Sequence, residues 1–91
     1  MRPLAQILER IFSDPKLKSH FIEGAVSGIW KQAVGERIAR VASPVSFDNG
    51  TLYVRVSSAA WRNELHMMQQ QMIDSLNAKL GRNEIERIIF R

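Results

Sequence analysis

The stretch VSFDNGTLYV, Val45 to Val54, constrains this chain more than any other. Asn49-Gly50 is the residue pair that a two-residue type I′ turn favours, because both central positions must take positive φ. A hairpin closed by that turn has one register. Asp48 faces Thr51, Phe47 faces Leu52, Ser46 faces Tyr53, Val45 faces Val54 and Pro44 faces Arg55. Residues that face each other project to the same side of a sheet. One side then carries Val45, Phe47, Leu52, Val54 and Val56, and the other carries Pro44, Ser46, Tyr53 and Arg55. A slip of one residue would exchange the two sets, so burial of the apolar side specifies the pairing.

Past the second strand, in VSSAAWRNEL (Val56 to Leu65), the apolar period changes from two to about three and a half. Trp61, Leu65, Met68, Met72, Leu76 and Leu80 then form the stripe of one long helix, with Arg62, His66, Gln70, Asp74 and Asn77 lying away from it. Lys79 suits the last turn and Gly81 closes the helix. Ser57 and Ser58 stand at the join. A nucleophilic serine needs a base within hydrogen-bond reach, and His20 and His66 belong to no triad pattern. No GxSxG elbow is present. The favoured reading is that Ser58, or Ser57, caps the helix through its hydroxyl. Trp61 then falls in the first turn, under the end of the strand Leu52 to Val56, where it can close the core.

Upstream, Leu4, Ile7, Leu8 and Ile11 share one face of a short helix over residues 1–13. Asp14-Pro15 reads as N-cap and first helical residue of a second helix. Its apolar positions are Leu17, Phe21, Ile22, Ala25, Ile29 and Trp30, and it ends at Val34-Gly35. The small-residue spacing GAVSG, Gly24 to Gly28, predicts close packing of another element there. A last strand, IERIIFR, alternates Ile88 and Phe90 against Arg87, Ile89 and Arg91. The order is helix, helix, strand, strand, helix, strand. It predicts one α+β domain over residues 1–91: a three-stranded sheet with helices packed on one face. Trp30, Val54, Trp61, Leu65 and Phe90 are the expected core positions. Both tryptophans also admit a second reading, as platforms on which nucleic-acid bases stack.

Composition removes several chemistries. The chain has no cysteine, so it offers no disulfide, thiolate nucleophile or cysteine-ligated zinc. Its two histidines lack metal-ligand spacing, and no glycine-rich loop follows a strand to cradle phosphates. No cofactor is expected. The N-terminal residues mix acids and bases into their apolar pattern, unlike a secretory signal, and no apolar run approaches a membrane span. A cytoplasmic protein that does not contact membrane is the expectation. Net charge is +4, which favours an anionic partner.

The placement of that charge suggests where such a partner would bind. Tyr53 and Arg55 occupy the polar side of the hairpin. If the last strand joins the same sheet with Ile88 and Phe90 inward, Arg87 and Arg91 share that outer face. Arg37 and Arg40 lie at the entrance to the first strand and complete the candidate set. Guanidinium groups neutralise phosphates, and a tyrosine ring can stack on a base, so the face would suit a single-stranded nucleic acid. The alternative is a solvated face with scattered charge.

Three stretches carry a likeness to a known family: IWKQAVGERIA, SPVSFDNGTLYVRVSSAAWRNEL and LNAKLGRNEIERIIF. With Trp30, Gly35, Ile38-Ala39, Pro44, Gly50-Thr51-Leu52, Val54, Val56, Ser57-Ser58, Trp61, Glu64-Leu65, Leu76-Asn77, Leu80-Gly81 and Phe90 in this order, the region Ile29 to Arg91 resembles the DciA family. The resemblance implies a KH-like fold, with residues 14–91 as the family core. It also implies a non-enzymatic role in bacterial DNA replication, in which members associate with the DnaB-type replicative helicase, assist its loading and bind DNA. Two departures follow. Longer members carry a basic extension, whereas this chain stops at the last strand. KH domains hold nucleic acid with a GxxG loop, which this sequence lacks. The candidate surface is therefore the sheet face with Arg55. A protein-interaction module, or an RNA-binding KH-like domain without a loading role, are the other readings.

Overall fold

Asn49 and Gly50 adopt positive φ, 43° and 92°, so the hairpin closes through the turn its sequence demands. The computed structural model describes residues 3–91, so the first two positions of the expected N-terminal helix lie outside the described residues. Along the chain come α1 (Pro3–Ser13), α2 (Pro15–Val34), α3 (Glu36–Ala39), β1 (Ala42–Asp48), β2 (Thr51–Val56), α4 (Ala59–Met67), α5 (Gln69–Leu80) and β3 (Arg87–Phe90). β2 is central, antiparallel to β1 and parallel to β3. This is the expected α+β order, with two refinements: a four-residue helix precedes β1, and the long helix is two helices.

Asp48, Phe47 and Ser46 pair with Thr51, Leu52 and Tyr53 as the turn requires. Beyond Ser46 the register shifts. Pro44 pairs with Val54 and Ser43 with Arg55, and Val45 is the unpaired residue of a bulge. Val45 is therefore 44% exposed rather than inward. Proline cannot donate to a ladder and is accommodated at edges and bulges, which accounts for the slip at this place on an edge strand. The inner face of the sheet is formed by Ala42, Phe47, Leu52, Val54, Val56 and Ile88.

Helices α2 and α5 cover that face. Asp14 caps α2, its carboxylate accepting from the backbone N–H of Lys16 (2.9 Å) and Leu17 (3.3 Å), with Pro15 at the first turn. The buried stripe of α2 is Ile22, Val26 and Trp30. Leu17 and Phe21, expected inside, are 43% and 44% exposed, because they lie about 180° and about 140° around the helix from Val26, the middle of that stripe. Gly24 and Gly28 are also exposed, and a Cβ at either would meet nothing within 4 Å. Among the described residues nothing packs on these two glycines, so the close approach expected at GAVSG is not made there.

The long helix breaks at Met68, whose N–H donates to Leu65 O three residues back (3.0 Å), tightening the turn. The break places the Gln69 side chain beside β3, where its Oε1 accepts from Ile88 N (3.0 Å). Leu65 is buried from α4, and Met72, Ile73, Leu76 and Asn77 from α5. Asn77, expected outward, is the exception to the apolar interior. Its side chain bonds Ile85 N (2.9 Å), Ile85 O (2.9 Å) and Glu84 N (3.1 Å), fixing the segment that leads into β3. Gly81 ends α5 in the left-handed conformation, as expected.

The same end of the molecule carries an ion-pair network. Glu84 accepts from Arg82 Nε (2.7 Å) and lies 3.2 Å from Lys18 Nζ. Burial alone would raise the Glu84 carboxyl, but hydrogen bonds and charge from Arg82 and Lys18 outweigh it and hold it below its ordinary value. A depressed carboxylate contributes stability above its unfolded pKa that is lost as pH falls through the folded one. Thermal stability is therefore expected to decline as pH falls from the ordinary glutamate range through the lowered folded pKa of Glu84. Glu84→Gln should flatten that decline, and a melting series across this range checks it: an unchanged slope would contradict a role for Glu84.

Candidate nucleic-acid interface

With Leu52, Val54 and Val56 inward, the alternate residues of β2 project to the uncovered side of the sheet. Parallel pairing then sets Thr51 beside Arg87 and Tyr53 beside Ile89. The ladder continues past β3: Arg91 N donates to Val54 O (2.8 Å) and Arg91 O accepts from Val56 N (2.7 Å), which places Arg91 beside Arg55. The face is thus Thr51, Tyr53 and Arg55 on the central strand and Arg87, Ile89 and Arg91 on one edge. Ser46 and Ser43 lie opposite Tyr53 and Arg55 on the other edge. Arg55, Arg87 and Arg91 are exposed, Tyr53 is half-buried, and Ile89 is 39% exposed.

Charge on this face is uncompensated. The ion pairs found among the described residues join Lys18 and Arg82 to Glu84 and Arg40 to Glu36. None engages Arg55, Arg87 or Arg91. The Arg91 guanidinium lies over the Tyr53 ring, its central carbon 4.5 Å from the ring centroid, a cation–π geometry. A cationic plane stacked on an aromatic ring, flanked by a second arginine, offers a base a stacking partner and its phosphates a counter-charge. Asp48, the acid of the hairpin turn, sits at the far end of the face from Arg55 and Arg91.

Arg37 and Arg40 do not join this group. Helix α3 intervenes between Gly35 and β1 and carries Arg37 toward α4, where its guanidinium lies over Trp61, 5.4 Å from the ring centroid. Arg40 pairs with Glu36 one turn earlier on the surface (3.2 Å). Arg37 instead borders a groove of about 300 Å³ lined by Val34, Ile38, Trp61, Glu64 and Met68. Trp61 is therefore half-buried, packed on the core from one side and lining a groove on the other. Sequence periodicity gave no sign of this groove, because the residues that build it come from three helices.

The other expected positions are core or cap. Trp30, Val54 and Leu65 are buried, and Phe90 packs against them half-buried. Trp30 Nε1 donates to Ala42 O (2.9 Å), so its polar edge is occupied where β1 begins. Ser58, in extended conformation, caps α4, its Oγ accepting from Trp61 N (3.2 Å). Ser57 uses its backbone instead, donating to Val41 O (2.9 Å). Neither hydroxyl is bonded to His20 or His66. Among the described residues no group of acids and histidines is placed to hold a metal ion, and no helix is long and apolar enough to cross a membrane.

The family model described as "Dna[CI] antecedent, DciA" matches residues 3–90, which adds α1 and most of α2 to the region that resembles the family by motif. A UPF0232 protein of Mycobacterium ulcerans (strain Agy99) is 34% identical over 80 residues, covering 88% of this chain and 43% of the relative. A UPF0232 protein of Mycobacterium marinum (strain ATCC BAA-535 / M) is 32% identical over the same shares of each. One from Rhodococcus jostii (strain RHA1) reaches 44% over 59 residues, 65% of this chain and 31% of the relative. The chain spans less than half the length of these relatives. Matched by the family model over nearly its whole length, it belongs to the DciA family.

Proposed function

We propose that the chain is a non-enzymatic adaptor of bacterial DNA replication. In this reading it associates with the replicative helicase and weakly binds single-stranded DNA through the open face of its sheet, in the cytoplasm. Membership of the DciA family supports the replication role. One observation carries the DNA surface: three exposed arginines without acidic partners surround a tyrosine on an uncovered sheet face. No GxxG loop is needed on such a surface. Arg55, Arg87 and Arg91 neutralise phosphates, and Tyr53 with its stacked Arg91 receives a base.

The salt dependence tests the reading. Three phosphate contacts to a single strand give a slope of log K against log salt of about −2, or a loss of about 20-fold between 50 and 200 mM. Fluorescence anisotropy with a labelled deoxythymidine oligonucleotide measures it. Arg55→Glu and Arg87→Glu should each weaken binding and make the slope shallower by about 0.7. Absence of binding at low salt, or binding indifferent to both changes, would reject the surface. A matched uridine oligonucleotide in the same assay separates a DNA reader from an RNA-binding domain.

A second reading, a protein-interaction module whose charge is incidental, is favoured by the groove at Trp61. Tryptophan, methionine and arginine are enriched where proteins meet. Here Trp61, Met68 and Arg37 share one depression. The two readings are compatible if the helicase contacts the helical side while the sheet remains free for DNA.

A further inference from the structure

Helix α2 presents a second face that the described residues cover only in part: the Phe21 ring meets Phe12 of α1 edge to face (centroids 5.5 Å apart) and stays 44% exposed. Asp14, Leu17, Phe21, Gly24, Gly28 and Lys31 follow one another at intervals of three, four, three, four and three, and all six are exposed. That spacing draws one stripe along the helix, the seam of a coiled-coil pair. Its contents are unusual for solvent. Leu17 and Phe21 are large and apolar. Gly24 and Gly28 weaken the helix interior, while no positive φ and no neighbour within 4 Å requires glycine at either position.

The stripe is complementary to itself when reversed. In an antiparallel pair with its two-fold axis between residues 22 and 23, Leu17 faces Gly28 of the other copy and Phe21 faces Gly24. Asp14 then faces Lys31. Each large side chain meets a position with no side chain, twice over, and each end carries opposite charges. An isologous interface requires this reciprocity: if one residue meets another, the reverse contact must also be made. Lys31 forms no ion pair among the described residues, and the Asp14 oxygen that caps α2 leaves its second oxygen available. Glycines allow the two helix backbones to approach closely, so that Leu17 and Phe21 pack on the partner's main chain.

We infer that two copies of this chain pair antiparallel through α2, with Leu17 and Phe21 of each seated over Gly28 and Gly24 of the other. This face is separate from the sheet face and from the Trp61 groove, so pairing leaves both open. It would set two sheet faces in a fixed symmetric relation.

Sedimentation velocity from about 1 µM to about 1 mM tests the pairing. The mass should rise from that of one chain toward that of two. Gly28→Leu fills the site opposite Leu17 and should hold the protein at one chain throughout, with an unchanged circular-dichroism spectrum that shows it folded. The geometry is tested by cross-linking, since the chain has no cysteine of its own. Leu17→Cys mixed with Gly28→Cys should form a disulfide-linked pair on mild oxidation. Leu17→Cys alone should not, because two copies of residue 17 would lie about 16 Å apart along the axis. A wild-type chain that stays single at all concentrations would overturn the inference, as would a pair untouched by Gly28→Leu. So would a disulfide formed by Leu17→Cys alone but not in the mixture.

Discussion

Asn77→Ala is expected to destabilise the protein by about 3–5 kcal/mol. Asn77 is 9% exposed, and its amide satisfies three backbone groups: Ile85 N, Ile85 O and Glu84 N. Ile85 is itself 2% exposed, so water does not replace the lost partners. Each orphaned buried group costs about 1–3 kcal/mol. The loss also frees the segment that sets the start of β3, where Glu86 N and Arg87 N both reach Gly50 O. Urea unfolding followed by tryptophan fluorescence measures the change. Asn77→Asp should be at least as harmful, because a carboxylate lacks the donor to Ile85 O and brings an unpaired charge. A cost below about 1 kcal/mol for Asn77→Ala would show that this network adds little.

Trp30→Ala should cost a similar amount, about 3–5 kcal/mol, through the cavity left by a large buried aromatic. Trp30 packs among Ile22, Val26 and the strands and joins α2 to the start of β1 through its bond to Ala42 O. Trp30→Phe separates the two contributions. It keeps most of the apolar contact but leaves Ala42 O without its partner, a cost of about 1–3 kcal/mol. Equal losses for the two variants would mean that the hydrogen bond, not the packing, holds this joint.

Features decided by a few neighbouring residues were legible in the sequence. The Asn49-Gly50 turn and its first three pairs, the caps at Asp14 and Ser58 and the stop at Gly81 all depend on local stereochemistry. What distant parts of the chain decide was not legible. Val45 reads as an inward strand residue, yet the bulge beside Pro44 turns it out. Asn77 reads as an outward polar position, yet the segment after Gly81 folds back to use its amide in the interior. Leu17 and Phe21 read as core because apolar spacing locates a face without naming what covers it. The candidate site divides in the same way. Tyr53, Arg55, Arg87 and Arg91 come together because strand alternation and pairing place them. Arg37 and Arg40 read as part of the face because they precede β1 in sequence, yet α3 takes Arg37 to Trp61 and pairs Arg40 with Glu36.

Single-stranded DNA is proposed to lie on the uncovered sheet face. Backbone amide shift mapping during titration with a deoxythymidine oligonucleotide tests it most directly. The largest shifts are expected on residues 51–55 and 87–91, with α2 and α5 little changed. Shifts confined to the Trp61 groove or to the helices, with the strands unmoved, would contradict it.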